Sequence, residues 1–401
     1  NSLIHERKNR QAEAVEEVSG KWALNQTLTG PVLSIPYLEL VKDNSGKVYK
    51  QTKNLHILPD YLKINGTLFP EKRHRGIYEV AVYSSKIQIE GHFSDLKNVL
   101  PEVPREDVLL NKAYVSIGIS DMRGIEEKVA IRLKDSIYLF NPGVPCKDIV
   151  ESGISTPVNI SELDSSSNQT LNFQLNIDLK GSEKIEFTPL GKETEVNLSS
   201  KWKSPSFDGN FLPDKRNVTD SGFTAYWKVL HLNRNYPQRW ANDAYNVNNA
   251  NFGLKLMVPT DNYLKSDRAI KYALLFISLT FLIYFFMELL NGIYIHPFQY
   301  ILIGFALSLF YILLISISEH LNFNTAYVIS TVMTITLICW YSKSVLKENK
   351  LALLVGSTLF ILYAFIFIII QMEDFALLIG SLGLFVILTI VMHYSKKIDW
   401  K

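Results

Sequence analysis

Cysteine is nearly absent: the 401 residues hold two, Cys146 and Cys339. Neither has a CxxC partner or a histidine cluster close by in the sequence, so a zinc or redox site built on thiols is not expected. Cys339 lies in an apolar run and Cys146 in a polar region, so a disulfide between them would have to join two media. An excess of one charge sign is lacking as well. Forty-one Lys and Arg face 39 Asp and Glu, and a net charge of +2 argues against a nucleic-acid or polyanion partner. There is no Gly-x-Ser-x-Gly elbow, no HExxH, no Walker A loop and no Gly-x-Gly-x-x-Gly after a strand. The expectation is a protein that is not an enzyme and needs no cofactor.

The charge that is present stops abruptly. About one quarter of the residues are charged up to Arg268, but only nine of the 124 positions from 271 to 394 are. That contrast predicts a polar domain followed by a membrane domain and excludes a wholly soluble enzyme. Five apolar runs, 271–290, 298–318, 325–341, 351–372 and 375–394, each approach the roughly 20 residues a helix needs to cross about 30 Å of hydrocarbon. The third run is the weakest, with five threonines and serines.

The connections predict an orientation. Lys343, Lys347 and Lys350 crowd one loop and Lys396, Lys397 and Lys401 the tail, whereas Glu319 and the pair Glu373-Asp374 mark the alternate connections. Lysine-rich loops stay in the cytoplasm, so five spans put the large domain outside and the C-terminus inside. Arg268 and Lys271 vote the other way but are outnumbered. The chain begins at Asn1 without an apolar leader, and Ala12, Val15, Val18 and Trp22 trace one stripe of a helix. Residues 1–29 are therefore expected to be a juxtamembrane helix whose upstream span is absent from this chain. Residues 30–265 would be a periplasmic β domain, and 266–401 a bundle of five transmembrane helices.

From Gly30 to Pro259 short alternating runs separated by turn residues predict strands in a sandwich-like domain. Examples are 78–83, 86–90, 171–179 and 252–258. The segment from Glu79 to Lys86 echoes that from Glu195 to Lys201, and each is followed by an Ala-Tyr step, Ala113-Tyr114 and Ala225-Tyr226. Internal duplication into two paired β-units and chance resemblance are both open readings. Trp202, Phe207, Phe211, Trp227, Tyr236 and Trp240 are expected to form core or packing surface rather than a carbohydrate platform.

Several motifs in order along nearly the whole chain carry a family resemblance. They are Arg73-His74-Arg75-Gly76-Ile77-Tyr78, Ser120-Asp121-Met122-Arg123-Gly124-Ile125, Asn235-Tyr236-Pro237-Gln238-Arg239-Trp240, His296-Pro297-Phe298-Gln299-Tyr300, Ser318-Glu319-His320 and Glu373-Asp374-Phe375. The chain resembles the CreD family of bacterial inner-membrane proteins, named for envelope integrity and colicin tolerance. The resemblance implies a multi-pass protein of the inner membrane, expressed under a two-component envelope or metabolic regulator and tied to the stress response. It implies no reaction or ligand. Membrane lipid and other envelope proteins are the partners it suggests.

Two groups of residues are candidate sites. Glu288, His296, Glu319, His320, Glu373 and Asp374 lie at predicted membrane boundaries, where ionisable groups are either functional or solvated helix ends. If functional, they would serve a small transporter or transport accessory, the alternative to an envelope sensor or support. Glu319, His320, Glu373 and Asp374 share the outer membrane face and would form one four-residue cluster or remain solvated helix ends; as metal ligands these four are too generic a set. Arg73, Arg75, Asp121 and Arg123 surround two Arg-Gly-Ile steps. They read either as a cationic pocket for an anionic envelope ligand, with Gly permitting close approach, or as loops tied together by Asp–Arg pairing.

Overall fold

The computed structural model describes residues 2–42, 48–94, 105–160, 170–258, 261–372 and 376–396. The chain forms two compact units, Gln11–Pro259 and a second comprising Asn1–Arg10 with Thr260–Lys401.

The first unit is mainly β. Helix α1 (Ser2–Trp22) leads into strands β1 (Gln26–Lys42), β2 (Val48–Ile57), β3 (Tyr61–Arg75), β4 (Tyr78–Phe93), β5 (Tyr114–Ile119), β6 (Ala130–Leu133), β7 (Ser136–Leu139), β8 (Asn141–Pro142) and β9 (Gly153–Pro157). After these come β10 (Leu171–Ser182), β11 (Lys184–Phe187), β12 (Glu193–Ser200), β13 (Pro205–Gly209), β14 (Lys215–Thr219), β15 (Gly222–Leu230), β16 (Arg239–Ala241) and β17 (Phe252–Leu256).

They make two sheets. One runs β13-β17-β11-β1-β5-β9-β8, with β2 added to β1 and β16 to β2; the other runs β14-β15-β12-β3-β4-β10-β6-β7. Strict alternation in β10 and β12 turns every second side chain inward, because successive strand residues point to opposite faces. Leu33, Ile35 and Ile57 of one sheet and Ile64, Ile87, Ile177 and Val196 of the other belong to a single buried cluster. Two sheets sharing one core make a sandwich, held by apolar burial at about 25 cal/mol per Å². Trp227, fully buried, packs against Phe207 and Phe252 at 5.8 Å each, so these aromatics are core.

The echoing segments are not equivalent strands, although each sheet is built about a parallel pair, β1–β11 and β3–β12. The members of each pair carry an antiparallel partner on the outer side (β5, β17, β4 and β15), as two related halves would arrange them. β4 and β12 flank the same strand, β3, antiparallel on one side and parallel on the other. The Ala-Tyr strands that follow them, β5 and β15, lie in different sheets. Each segment alternates because each has one buried face, and that shared demand is enough to make them alike.

The second unit is helical: α2 (Asp261–Lys271), α3 (Ala273–Asn291), α4 (Pro297–Ser318), α5 (Phe323–Leu346), α6 (Asn349–Gln371) and α7 (Ala376–Ser395). Helices α3 to α6 are long and apolar enough to cross a membrane. The expected fifth span is an apolar helix whose described apolar stretch, Leu378–His393, is shorter. The helix itself, Ala376–Ser395, is 20 residues long and rises about 30 Å, the thickness of the hydrocarbon core. Of the five hydroxyls that make α5 look weak as a span, Ser330, Thr331 and Thr334 are buried, as is Ser342 beyond the run, while Thr325 and Thr336 are exposed. At the centre of the bundle Phe310 meets Tyr327 and Tyr363 edge-on, at 5.4 and 4.7 Å, and Phe276 meets Tyr363 at 4.3 Å.

Candidate functional site

Arg73, Arg75, Asp121 and Arg123 do come together, and what they surround is the second half of α1. Asp121 ends β5's exit turn and is 8% exposed. Its carboxylate accepts from the backbone N–H of Leu24 (2.8 Å) and Arg123 (3.1 Å), and from the Arg123 guanidinium at 2.9 and 2.7 Å. Arg123 also donates to the Gly20 carbonyl at 2.5 Å. Those donors, the guanidinium first, hold the Asp121 carboxyl down to about 2 against the opposing effect of burial.

Beneath the carboxylate, fully buried Gln26 donates to the carbonyls of Asp121 and Lys180, both at 2.9 Å. A side chain at Gly124 would collide with Lys180 O and the Gln26 amide, so the close approach that this glycine permits is to the protein itself. Gly76, in the other Arg-Gly-Ile step, has open space around it and a φ of +59°, which a tight hairpin demands. Arg73 lies 4.9 Å and Lys180 4.8 Å from the centre of the Trp22 ring, and Arg75 pairs with Glu17 at 2.7 Å. The arginines read as a clamp: Arg75 pairs with Glu17 of α1, Arg123 with Asp121, and Arg73, whose charge pairs with Glu71 at 2.6 Å, lies over the Trp22 ring. The buried face of the helix is centred on Ala14 and Ser19, with Val15, Val18 and Trp22 half-buried beside them.

The membrane-boundary residues divide into separate local roles. Glu288, near the end of α3, accepts from the Tyr300 hydroxyl at 2.8 Å, which ties α3 to α4. His296 caps α4, its Nδ1 accepting from the Phe298 N–H at 3.2 Å while Gln299 accepts from the His296 N–H at 3.0 Å. Glu319 is the C-terminal cap residue of α4, half-buried, and His320 beside it is exposed. Glu373 and Asp374 lie outside the described residues, so the expected four-residue cluster has only its Glu319-His320 half in view. Among the described residues of the helical unit, the buried polar side chains are all Ser or Thr apart from tyrosine, with no buried acid, base or imidazole.

A second constellation escapes the sequence. Tyr114 on β5, Ser34 on β1, His56 on β2 and Trp240 on β16 are cross-strand partners in one continuous row. Their neighbours Leu33, Ile35, Leu55, Ile57 and Val115 point into the shared core, so Tyr114, Ser34 and His56 lie on the sheet's other face. The loop between β8 and β9 brings Cys146 and Asp148 to this row. Ser34 Oγ is 2.9 Å from His56 Nδ1, Asp148 Oδ2 is 3.1 Å from Nε2, and the Tyr114 hydroxyl is 3.0 Å from Cys146 Sγ. The donor atoms of His56, Cys146 and Asp148 all lie within 4.8 Å of one another.

Burial pushes the His56 imidazole below its ordinary range, against the pull of Asp148, and pushes the Cys146 thiol and the Tyr114 phenol up. Ser34, His56 and Asp148 have the composition of a hydrolytic triad. However, Ser34 and His56 are each 1% exposed, and the hydroxyl sits on Nδ1 where a triad has it on Nε2. A substrate carbonyl has no access to such a hydroxyl. The one sequence signal was a polar residue inside each of two buried apolar strands, Leu33-Ser34-Ile35 and Leu55-His56-Ile57.

A trough of about 760 Å³ opens on the eight-stranded sheet, floored by Asn65, Gln88 and Asn197 and edged by Lys215, Arg216 and Tyr226.

Comparison with known proteins agrees with this architecture. The family described as Inner membrane protein CreD matches residues 1–401. The Inner membrane protein CreD of Escherichia coli (strain K12) is 32% identical over 403 residues, covering 99% of this chain and 88% of that protein.

Proposed function

The chain belongs to the CreD family of inner membrane proteins, and from that premise we propose that it is an envelope protein whose β unit faces the periplasm and senses or supports the cell envelope, while its helices anchor it. The orientation rests on Lys343, Lys347 and Lys350 around the α5–α6 connection and on the lysines of the tail, which belong on the cytoplasmic side. The reading is non-enzymatic, and the burial of Ser34 and His56, which closes that row to substrate, supports it.

The observation that carries the reading is the clamp on α1. Asp121 and Arg123 fix Gly20 and Leu24 at the point where the helix passes into β1, so the β unit grips the chain's first helix rather than trailing it loosely. A domain that registers mechanical or chemical change in the envelope needs such a rigid outlet. A transporter needs ionisable groups deep between helices, and the fully buried polar side chains described in this bundle are hydroxyls, with Glu288 only half-buried near the end of α3. The test is a strain carrying Asp121→Asn, challenged with envelope stress while protein abundance is measured in the same cells. Lowered tolerance at unchanged abundance is expected; unchanged tolerance would remove the clamp from the function.

A further inference from the structure

We propose that His56, Cys146 and Asp148 form a binding site for a divalent transition metal of the zinc class. Three donors of three chemical types converge from two distant parts of the chain, with all ligating atoms within 4.8 Å of one another. In a tetrahedral zinc site, with metal–ligand distances near 2.0 to 2.3 Å, neighbouring donors stand about 3.5 Å apart. Closing the remaining gap requires a movement of roughly 1 Å, which the irregular loop carrying Cys146 and Asp148 can supply.

The donor set selects the metal. A thiolate and an imidazole are poor partners for magnesium or calcium, and one sulfur, one nitrogen and one carboxylate oxygen suit zinc. Charge also balances. A thiolate, a carboxylate and a neutral imidazole around a dication sum to zero, which is what a site beside a 1%-exposed histidine requires.

The surroundings are built as outer support for a ligand. Ser34 lies 2.9 Å from His56 Nδ1; by accepting that N–H it would fix the tautomer that leaves the Nε2 lone pair directed at Asp148 and Cys146. On the other side the Tyr114 hydroxyl, 3.0 Å from the sulfur, stabilises a thiolate. Three protein donors leave a fourth position for water or the Tyr114 oxygen. The Asp148 side chain is 23% exposed and provides the way in. This site does not depend on the orientation or envelope role proposed above.

The test uses the full chain in detergent with Cys339→Ala, stripped with chelator and titrated with Co²⁺. A thiolate-to-cobalt charge-transfer band reaching one equivalent, bleached by Zn²⁺ and indifferent to the same concentration of Mg²⁺, is expected. Cys146→Ser should abolish the band, and Asp148→Asn should weaken binding at least about 100-fold. Ser34→Ala, a positioning change, should weaken it about 10- to 100-fold while keeping the band. Absence of the band in the parent protein, or binding unchanged in both Cys146→Ser and Asp148→Asn, would overturn the site. Should a variant fail to fold, alkylation of Cys146 in the parent decides the matter. Saturating Zn²⁺ should slow the reaction more than about tenfold, and no protection would refute the proposal.

Discussion

Asp121→Asn is the most informative single change in the β unit. The carboxylate receives four hydrogen bonds, two of them from the Arg123 guanidinium and one from Leu24 N–H at the end of α1. An asparagine keeps the shape but sets an NH₂ donor against a guanidinium donor. Its carboxyl is lowered from 3.8 to about 2, and at 1.36 kcal/mol per unit the ionised form adds about 2 kcal/mol to the folded state. Arg123 is 55% exposed, so its charge is rehydrated when the partner is lost, and the cost stays below that of a fully buried broken pair. The opening affected is local, so the assay is amide hydrogen exchange across residues 17–26 of the full chain in detergent micelles. At about pH 7 the variant should exchange roughly 30-fold faster there, with the far side of the sandwich unaffected.

The sign of the pH dependence follows from a depressed folded-state pKa. The contribution is complete above the unfolded value of 3.8 and disappears as pH falls through about 2, so wild type and variant should converge on acidification. A difference under twofold at neutral pH, or one that persists unchanged at about pH 2, would refute the assignment of Asp121 as the ionic centre of the clamp.

Gly124→Ala forces a methyl group against Lys180 O and the Gln26 amide, so it should cost about 1–3 kcal/mol and raise exchange in the same segment, whereas Gly76→Ala, which meets no atoms, should cost only the strain of its positive φ. In the helical unit Phe310→Ala removes the ring shared by Tyr311, Tyr327 and Tyr363 and should lower stability in detergent by about 3–5 kcal/mol, read as a fall in the thermal midpoint. Glu288→Gln keeps an acceptor for the Tyr300 hydroxyl and should be nearly neutral in the same assay, while Glu288→Ala should be destabilising by about 1–2 kcal/mol.

Strands were legible wherever one face is buried. The alternation in 171–179 marks β10, and the two runs 78–83 and 86–90 are one strand, β4, because Ser84 and Ser85, which read as a break, are paired on both sides by β3 and β10. The apolar helices were legible from charge depletion alone, and the run 375–394 matches α7 (Ala376–Ser395) to within a residue at each end. The echo between Glu79–Lys86 and Glu195–Lys201 matched strands that are not equivalent, because alternation is a property of half-buried strands in general. Of the candidate residues, Asp121 pairs with Arg123 as the Asp–Arg reading allowed, but the object held, α1, was hidden because Leu24 and Asp121 are 97 positions apart. His296 looked ionisable and is a helix cap, a role set by Pro297 and Gln299 beside it. The His56, Cys146 and Asp148 group was beyond sequence reasoning, since it depends on the pairing register of β1, β2 and β5 and on where one loop folds.

The orientation of the β unit decides the account. Single cysteines at Ser221, on the exposed turn between β14 and β15, and at Lys347, in the α5–α6 connection, can be placed in a chain carrying Cys146→Ser and Cys339→Ala. Cells with a permeabilised outer membrane and an intact inner membrane are then treated with an impermeant maleimide. The account predicts labelling of Ser221→Cys and protection of Lys347→Cys until the inner membrane is lysed; labelling of Lys347→Cys with protection of Ser221→Cys would contradict it.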